Sequence, residues 1–262
     1  MTPLTGILLV VVGFAAGLLG GLIGTGGCSV MLPIIHFWVG FEAPIAVGTT
    51  LFAVIFTAIS GAWGHLVRHN LDVRATLYMG GAGILGVVFG SWLFTLIAPH
   101  SKTLGLILGV VFLWPAIRMT WEGFSQRKMP QREGDTIQGH ALGLALFGLV
   151  VGIATGVAGL GGGYALVPGM IYLFGAPVYI TMGTSLATMI PLAIVGGGIK
   201  LVQGYVNLPA GLLLALGTIM GAQVGARIIK RFKPHHLKII FGLYFLYVSA
   251  KFITAFFGIR IW

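Results

Sequence analysis

Displaced by 135 residues, the sequence lies on itself without a gap. The shift sets Gly24-Thr25-Gly26-Gly27-Cys28 on Gly159-Leu160-Gly161-Gly162-Gly163, and Pro33 on Pro168. It also sets Gly48-Thr49-Thr50-Leu51 on Gly183-Thr184-Ser185-Leu186, Gly86 and Gly90 on Gly221 and Gly225, and Pro99-His100 on Pro234-His235. One offset that holds from Gly13 almost to the C-terminus marks an internal duplication. A chain of this kind folds as two like modules, and in a membrane such modules place a shared site where they meet.

Polarity fixes the medium. The chain is 57% hydrophobic and only 8% charged, with a mean hydropathy of +1.02. Soluble domains carry about 25% charged residues, so a water-facing surface cannot be assembled here. Apolar stretches of about 17 to 25 residues recur along nearly the whole length, the mark of an all-α polytopic membrane protein. The 43 glycines agree, because small residues let membrane helices approach closely. The alternating polarity of a β-barrel strand is absent. The net charge of +10 reflects basic residues in short loops, where they orient the protein; nucleic acid is not an expected partner. Cys28 is the sole cysteine, so no disulfide forms within the chain. The N-terminus lacks a signal peptide's basic region, and its first apolar run is expected to be a retained span.

Each half divides into the same five apolar segments. They fall near 4–22, 28–40, 43–64, 75–97 and 102–121, then near 139–157, 163–174, 178–199, 210–229 and 238–258. The expected organisation is a first membrane repeat over 1–121, a hydrophilic cytoplasmic linker over 122–138 and a second repeat over 139–262. The second segment of each half is too short to cross a hydrocarbon core of about 30 Å. It follows glycines that an unbroken helix disfavours by about 1 kcal/mol each. Segments one and two therefore read as a broken or re-entrant hairpin joined by three transmembrane helices, giving 8 to 10 membrane segments in all.

Charge selects the topology. If each half crosses an odd number of times, the repeats are inverted. Arg68, Arg74, Arg118, Arg127, Lys128, Arg132, Arg227, Lys230, Arg231, Lys233 and Lys238 then share one side, against Lys102, Lys200, Lys251 and Arg260. That 11-to-4 division exceeds the 9-to-6 division of parallel repeats and matches the basic bias of cytoplasmic loops. It places both termini outside the cytoplasm, which is the periplasm if the membrane is the bacterial inner membrane that the family resemblance below implies.

The doubled motifs are the candidate site. Thr25, Gly26, Gly27, Cys28 and Ser29, with Gly161, Gly162, Gly163 and Tyr164, stand where a short helix begins inside the bilayer. The first N–H groups of such a helix have no intrahelical partner, and its dipole presents about half a positive charge. Two oppositely oriented starts would aim at one anion. Tight packing is the competing reading of these glycines. The hydroxyls of Thr49, Thr50, Thr184 and Ser185 would donate to the same anion, against a competing role in bonds to helix backbone. Carboxylates are nearly absent from the predicted spans, which disfavours cation transport and proton relays. Neither a nucleophile–base pair nor a metal set is spaced for catalysis, and no cofactor is expected. Gln223 is expected to bridge helices, and Ala82, Gly86, Gly90, Gly217, Gly221 and Gly225 to form packing faces. Lys200, which aligns with His65, is expected to snorkel to the interface.

The two glycine motifs leading to proline (GTGGCSVMLP and GLGGGYALVP), the doubled GT[TS]L, the GYVN stretch ending at Asn207, and GAQVGARI from Gly221 to Ile228 resemble the sulfite exporter TauE/SafE family. The resemblance spans essentially the whole chain. It implies a secondary transporter of sulfur-containing anions such as sulfite, thiosulfate or organosulfonates across the inner membrane. A channel or facilitator for other oxyanions or carboxylates is the alternative, and an intramembrane enzyme a weaker one. A homo-oligomer is compatible with the sequence. An anion leaving an inside-negative cell gains about 2.3 kcal/mol per 100 mV, which favours export. The first repeat departs from the second in carrying Cys28 where the other has Gly163, and space-filling is its expected role.

Overall fold

A computed structural model describes residues 3–125, 134, 136–228 and 234–258. Among these residues there are ten helices and no strand. They are α1 (Pro3–Ile23), α2 (Cys28–Phe37), α3 (Ala43–Leu66), α4 (Val73–Ile97), α5 (Ser101–Ser125), α6 (Ala141–Ala158), α7 (Gly163–Leu173), α8 (Val178–Val202), α9 (Leu208–Ile228) and α10 (Pro234–Phe256). Seven helices, α1, α3 to α6, α8 and α9, are long and apolar enough to cross a membrane. The five predicted segments per half are thus ten helices. The largest shifts are at α5, which runs on to Ser125 in the hydrophilic stretch, and at α10, which starts at Pro234.

The helix ends follow from local chemistry. Glu42 and Pro44 open α3. The Ala75 N–H donates to Asp72 Oδ1 at the start of α4, and the Ala210 N–H donates to Asn207 Oδ1 at the start of α9. Each side-chain oxygen occupies the acceptor role of an N-cap. After α3 the chain turns at His69, whose φ of 57° is left-handed, at the position where the second half uses Gly204, φ 79°.

The chain forms two compact units. One contains α1 to α3, α4 as far as Phe94, and α6 to α9; the other contains the end of α4, α5 and α10. In the second unit, Ser249 Oγ donates to the Gly109 carbonyl at 2.7 Å, and Phe112 stacks with Phe252.

Within the first unit, contacts come in pairs related by the 135-residue offset. Along α1 and α9, Gly17 meets Thr218 and Gly221 meets Phe14 and Leu18. Along α6 and α4, Gly152 meets Gly83 and Gly86 meets Leu149 and Ile153. Both seams run in the same chain direction, glycine against backbone, so no larger side chain fits. The expected small-residue faces are therefore packing seams, with Gly83 in the place expected for the half-buried Ala82. Between them α3 and α8 cross antiparallel: Gly61 meets Leu186, and Gly196 meets Leu51. The crossing point holds Val54 and Met189, which occupy equivalent positions in the two halves. Outward residues are apolar: Leu77, Leu85 and Leu142 are each more than two-thirds exposed, as on a surface that meets lipid rather than water.

Candidate functional site

α1 and α6 each give way to a buried loop before the short helix that follows. Gly24, Gly26 and Gly27 take φ of 80°, 73° and 73°; Gly159, Gly161 and Gly162 take 67°, 66° and 85°. Side chains rarely tolerate this left-handed region, so both glycine clusters are conformational requirements before they are anything else. α2 and α7 start immediately after them, and neither helix has a side-chain cap. Their first ladder bonds run from the Val30 and Met31 N–H groups to the Gly27 carbonyl, and from Ala165 and Leu166 to Gly162, all within 3.1 Å. The N–H groups of Cys28 and Ser29, and of Gly163 and Tyr164, therefore stand ahead of the helical ladder.

The two loops meet. Gly26 and Gly161 both abut Val54 and the terminal methyl of Met189. A methyl group added to Gly163 would lie 2.6 Å from Thr25 Cα and 2.8 Å from the Gly24 carbonyl oxygen. The Cys28 thiol donates to the Leu160 carbonyl of the opposite loop and lies 3.6 Å from the Thr25 oxygen. The Cys28/Gly163 difference has a geometric origin: backbone crowds Gly163, while the thiol fills the space facing Leu160. Ser185 Oγ donates to the Gly24 carbonyl at 2.8 Å and pins the first loop to α8. Thr25, Gly26, Gly27, Cys28, Ser29, Gly161, Gly162, Gly163, Tyr164 and Ser185 are thus gathered at one interior locus. Only Thr25 and Tyr164 are half-buried; the others are buried.

The remaining hydroxyls are engaged with backbone. Thr49 Oγ1 accepts the Asn207 N–H at 2.9 Å, and Thr184 Oγ1 accepts the Asp72 N–H at the same distance. These paired bonds seat the turns that lead into α9 and α4. Thr50 Oγ1 donates to the Ala46 and Val47 carbonyls of its own helix, the back-bonding that competes with a ligand role. Gln223 Nε2 donates to the Ser60 carbonyl at 2.7 Å, the expected helix bridge. It also borders an apolar groove of about 630 Å³ lined by Phe56, Trp63, Ile190 and Ile219; none of the predicted site residues lines it.

Three buried side chains add to the picture. Lys200 does not snorkel: it is fully buried, its Nζ 2.6 Å from the Gly156 carbonyl oxygen, 3.5 Å from Ser91 Oγ and 4.1 Å from the centre of the Phe94 ring. The Phe94 ring in turn meets Tyr205 edge-on. The counterpart of Lys200, His65, also fully buried, has Nε2 3.1 Å from the Gly21 carbonyl. Both bonds reach the last turn of the helix that precedes a glycine loop, where carbonyls lack intrahelical partners and the dipole is negative. Thr155 is buried, its hydroxyl has no partner among the described residues, and it lies 2.8 Å from where a Gly162 side chain would begin. The first half has Gly20 at that position. The described carboxylates are elsewhere: Glu42 is exposed, and Asp72 accepts the Ala75 and Ile137 N–H groups. No trio of metal-ligating side chains is present among the described residues.

Comparison with known proteins bears on this arrangement. Residues 9–252 match the family described as sulfite exporter TauE/SafE. The probable membrane transporter protein YdhB of Bacillus subtilis is 28% identical over 221 residues, covering 84% of this chain and 89% of its own. A probable membrane transporter protein of Methanocaldococcus jannaschii is 29% identical over 250 residues, covering 89% and 90%. The probable membrane transporter protein YunE of Bacillus subtilis is 25% identical over 268 residues, covering 94% and 97%. No solved structure matches the chain.

Proposed function

We propose, since the chain belongs to the sulfite exporter TauE/SafE family, that this multi-pass membrane transporter carries small sulfur-containing oxyanions such as sulfite through the locus where its two glycine loops meet. The carrying observation is the pair of uncapped helix starts, Cys28 and Gly163, at the ends of loops in mutual contact. Backbone N–H groups there offer an oxyanion donors with no fixed charge, and buried irregular backbone is tolerated at membrane depth only inside protein or along a cavity. The unpartnered hydroxyl of Thr155 adds a donor.

The antiparallel crossing of α3 and α8, with its offset-paired contacts, supports inverted repeats, because a two-fold axis perpendicular to two spanning helices lies in the membrane plane. In that reading the loop bearing Arg68 and Arg74 faces the cytoplasm and both termini face the periplasm of an inner membrane. The seams tie α1 to α9 and α6 to α4, so each half is held by the other. Alternating access then moves these cross-repeat pairs against the α3–α8 crossing rather than one repeat against the other. Export is the favoured direction for an anion under an inside-negative potential.

Proteoliposomes loaded with sulfite, thiosulfate or sulfate test this. Saturable sulfite efflux that quickens when the interior is made negative is expected. Absence of flux for all three anions, or flux indifferent to the sign of the potential, contradicts the reading.

A further inference from the structure

The two halves are least alike around their loops' supporting side chains. Behind the first loop stand Gly20 and His65; at the same positions behind the second stand Thr155 and Lys200. Lys200 is fully buried, and its partners among the described residues are a carbonyl, a hydroxyl and an aromatic ring; none is a carboxylate. An ionisable side chain buried inside a membrane protein is costly and marks a substrate path by default. The carbonyl that it holds belongs to Gly156, three residues before Gly159 and next to Thr155, whose buried hydroxyl has no partner among the described residues. An amine and a hydroxyl therefore stand behind the second loop, where the first has a histidine, whose Nδ1 also lacks a partner among the described residues, and a glycine.

We propose that Lys200 is the counter-cation of the transported oxyanion, and that with Thr155 it makes the Gly159–Gly162 loop the principal anion subsite. Lys200 exchanges its bond to the Gly156 carbonyl for the oxyanion when substrate binds, and the Phe94 ring covers it otherwise. The first loop, backed by His65, is the weaker, charge-poor partner. This assignment rests on the oxyanion-transport reading and names the residue that sets its affinity.

Lys200→Gln keeps a donor for the Gly156 carbonyl and removes the charge. In proteoliposomes it is expected to raise the sulfite KM by at least about ten-fold at unchanged folded yield, since a charge-assisted bond is lost. Lys102→Gln, the same change at an exposed lysine, is expected to leave KM within about two-fold. A Lys200→Gln KM equal to the wild type's overturns the assignment. Should that variant not fold, wild-type protein treated with a small amine-acylating reagent decides. Sulfite is expected to slow modification of Lys200 at least about five-fold and to leave Lys102 unaffected; a Lys200 rate indifferent to sulfite overturns the assignment. Wild-type vesicles that move no sulfite would remove the transport reading itself, whereas intact wild-type flux with an indistinguishable Lys200→Gln variant removes only the role of Lys200.

Discussion

At Gly221 on α9, an added methyl group would collide with the Phe14 carbonyl and lie 2.6 Å from the Leu18 nitrogen. At Gly161, in the loop before α7, the same methyl would lie 2.6 Å from the terminal methyl of Met189 and 3.0 Å from Val54 Cγ1. The first neighbour is backbone on another helix and cannot withdraw. The second is the far end of a flexible side chain. Gly221 is therefore glycine because two helices touch there, while Gly161 is glycine because its φ of 66° demands it and because the space beside it is shared with the opposite loop. Gly27 belongs with the first kind in part, since its methyl would meet the Ala16 carbonyl. Gly26 belongs with the second.

The largest effect should come from the seams. Gly221→Leu and Gly86→Leu force side chains into backbone, where overpacking costs about 1–3 kcal/mol or more. Both are expected to cut the monodisperse peak in size-exclusion chromatography severely; normal yield would mean that the seams are looser than the contacts imply. Next comes Gly161→Ala, with a left-handed strain of about 1–2 kcal/mol. Folded protein is expected at reduced stability, with sulfite flux per folded molecule nearly lost; full flux would make the loop a packing device. Thr184→Val leaves the buried Asp72 N–H without its acceptor, at about 1–3 kcal/mol. A lower melting temperature with unchanged KM is expected, and a raised KM would return Thr184 to the site. The smallest change is expected at Thr50→Val, within about 1 kcal/mol, with neither stability nor transport measurably altered.

Much of this was readable from residues alone, for a specific reason. Duplication makes every motif appear twice, and glycine, proline and apolar length report on backbone directly. The helix starts at Cys28 and Gly163 and the seams at Gly86 and Gly221 were legible for that reason. The partners of the hydroxyls were not. Thr49 bonds Asn207, 158 residues away, and Thr184 bonds Asp72, 112 residues away; nothing local distinguishes such a hydroxyl from one that faces a ligand. Lys200 was misread because a lysine near the end of an apolar segment ordinarily reaches water. Here α8 continues to Val202, and the centre of the Phe94 ring lies 4.1 Å from the amine. Thr155 gave no signal because its equivalent, Gly20, does not repeat its chemistry.

The central claim is that the two loops form one site rather than two. Isothermal titration of sulfite into the lipid-reconstituted protein tests it most directly. One anion is expected per chain, with binding lost in either Gly26→Ala or Gly161→Ala alone. Two anions per chain, or binding that survives one substitution undiminished, would contradict the account.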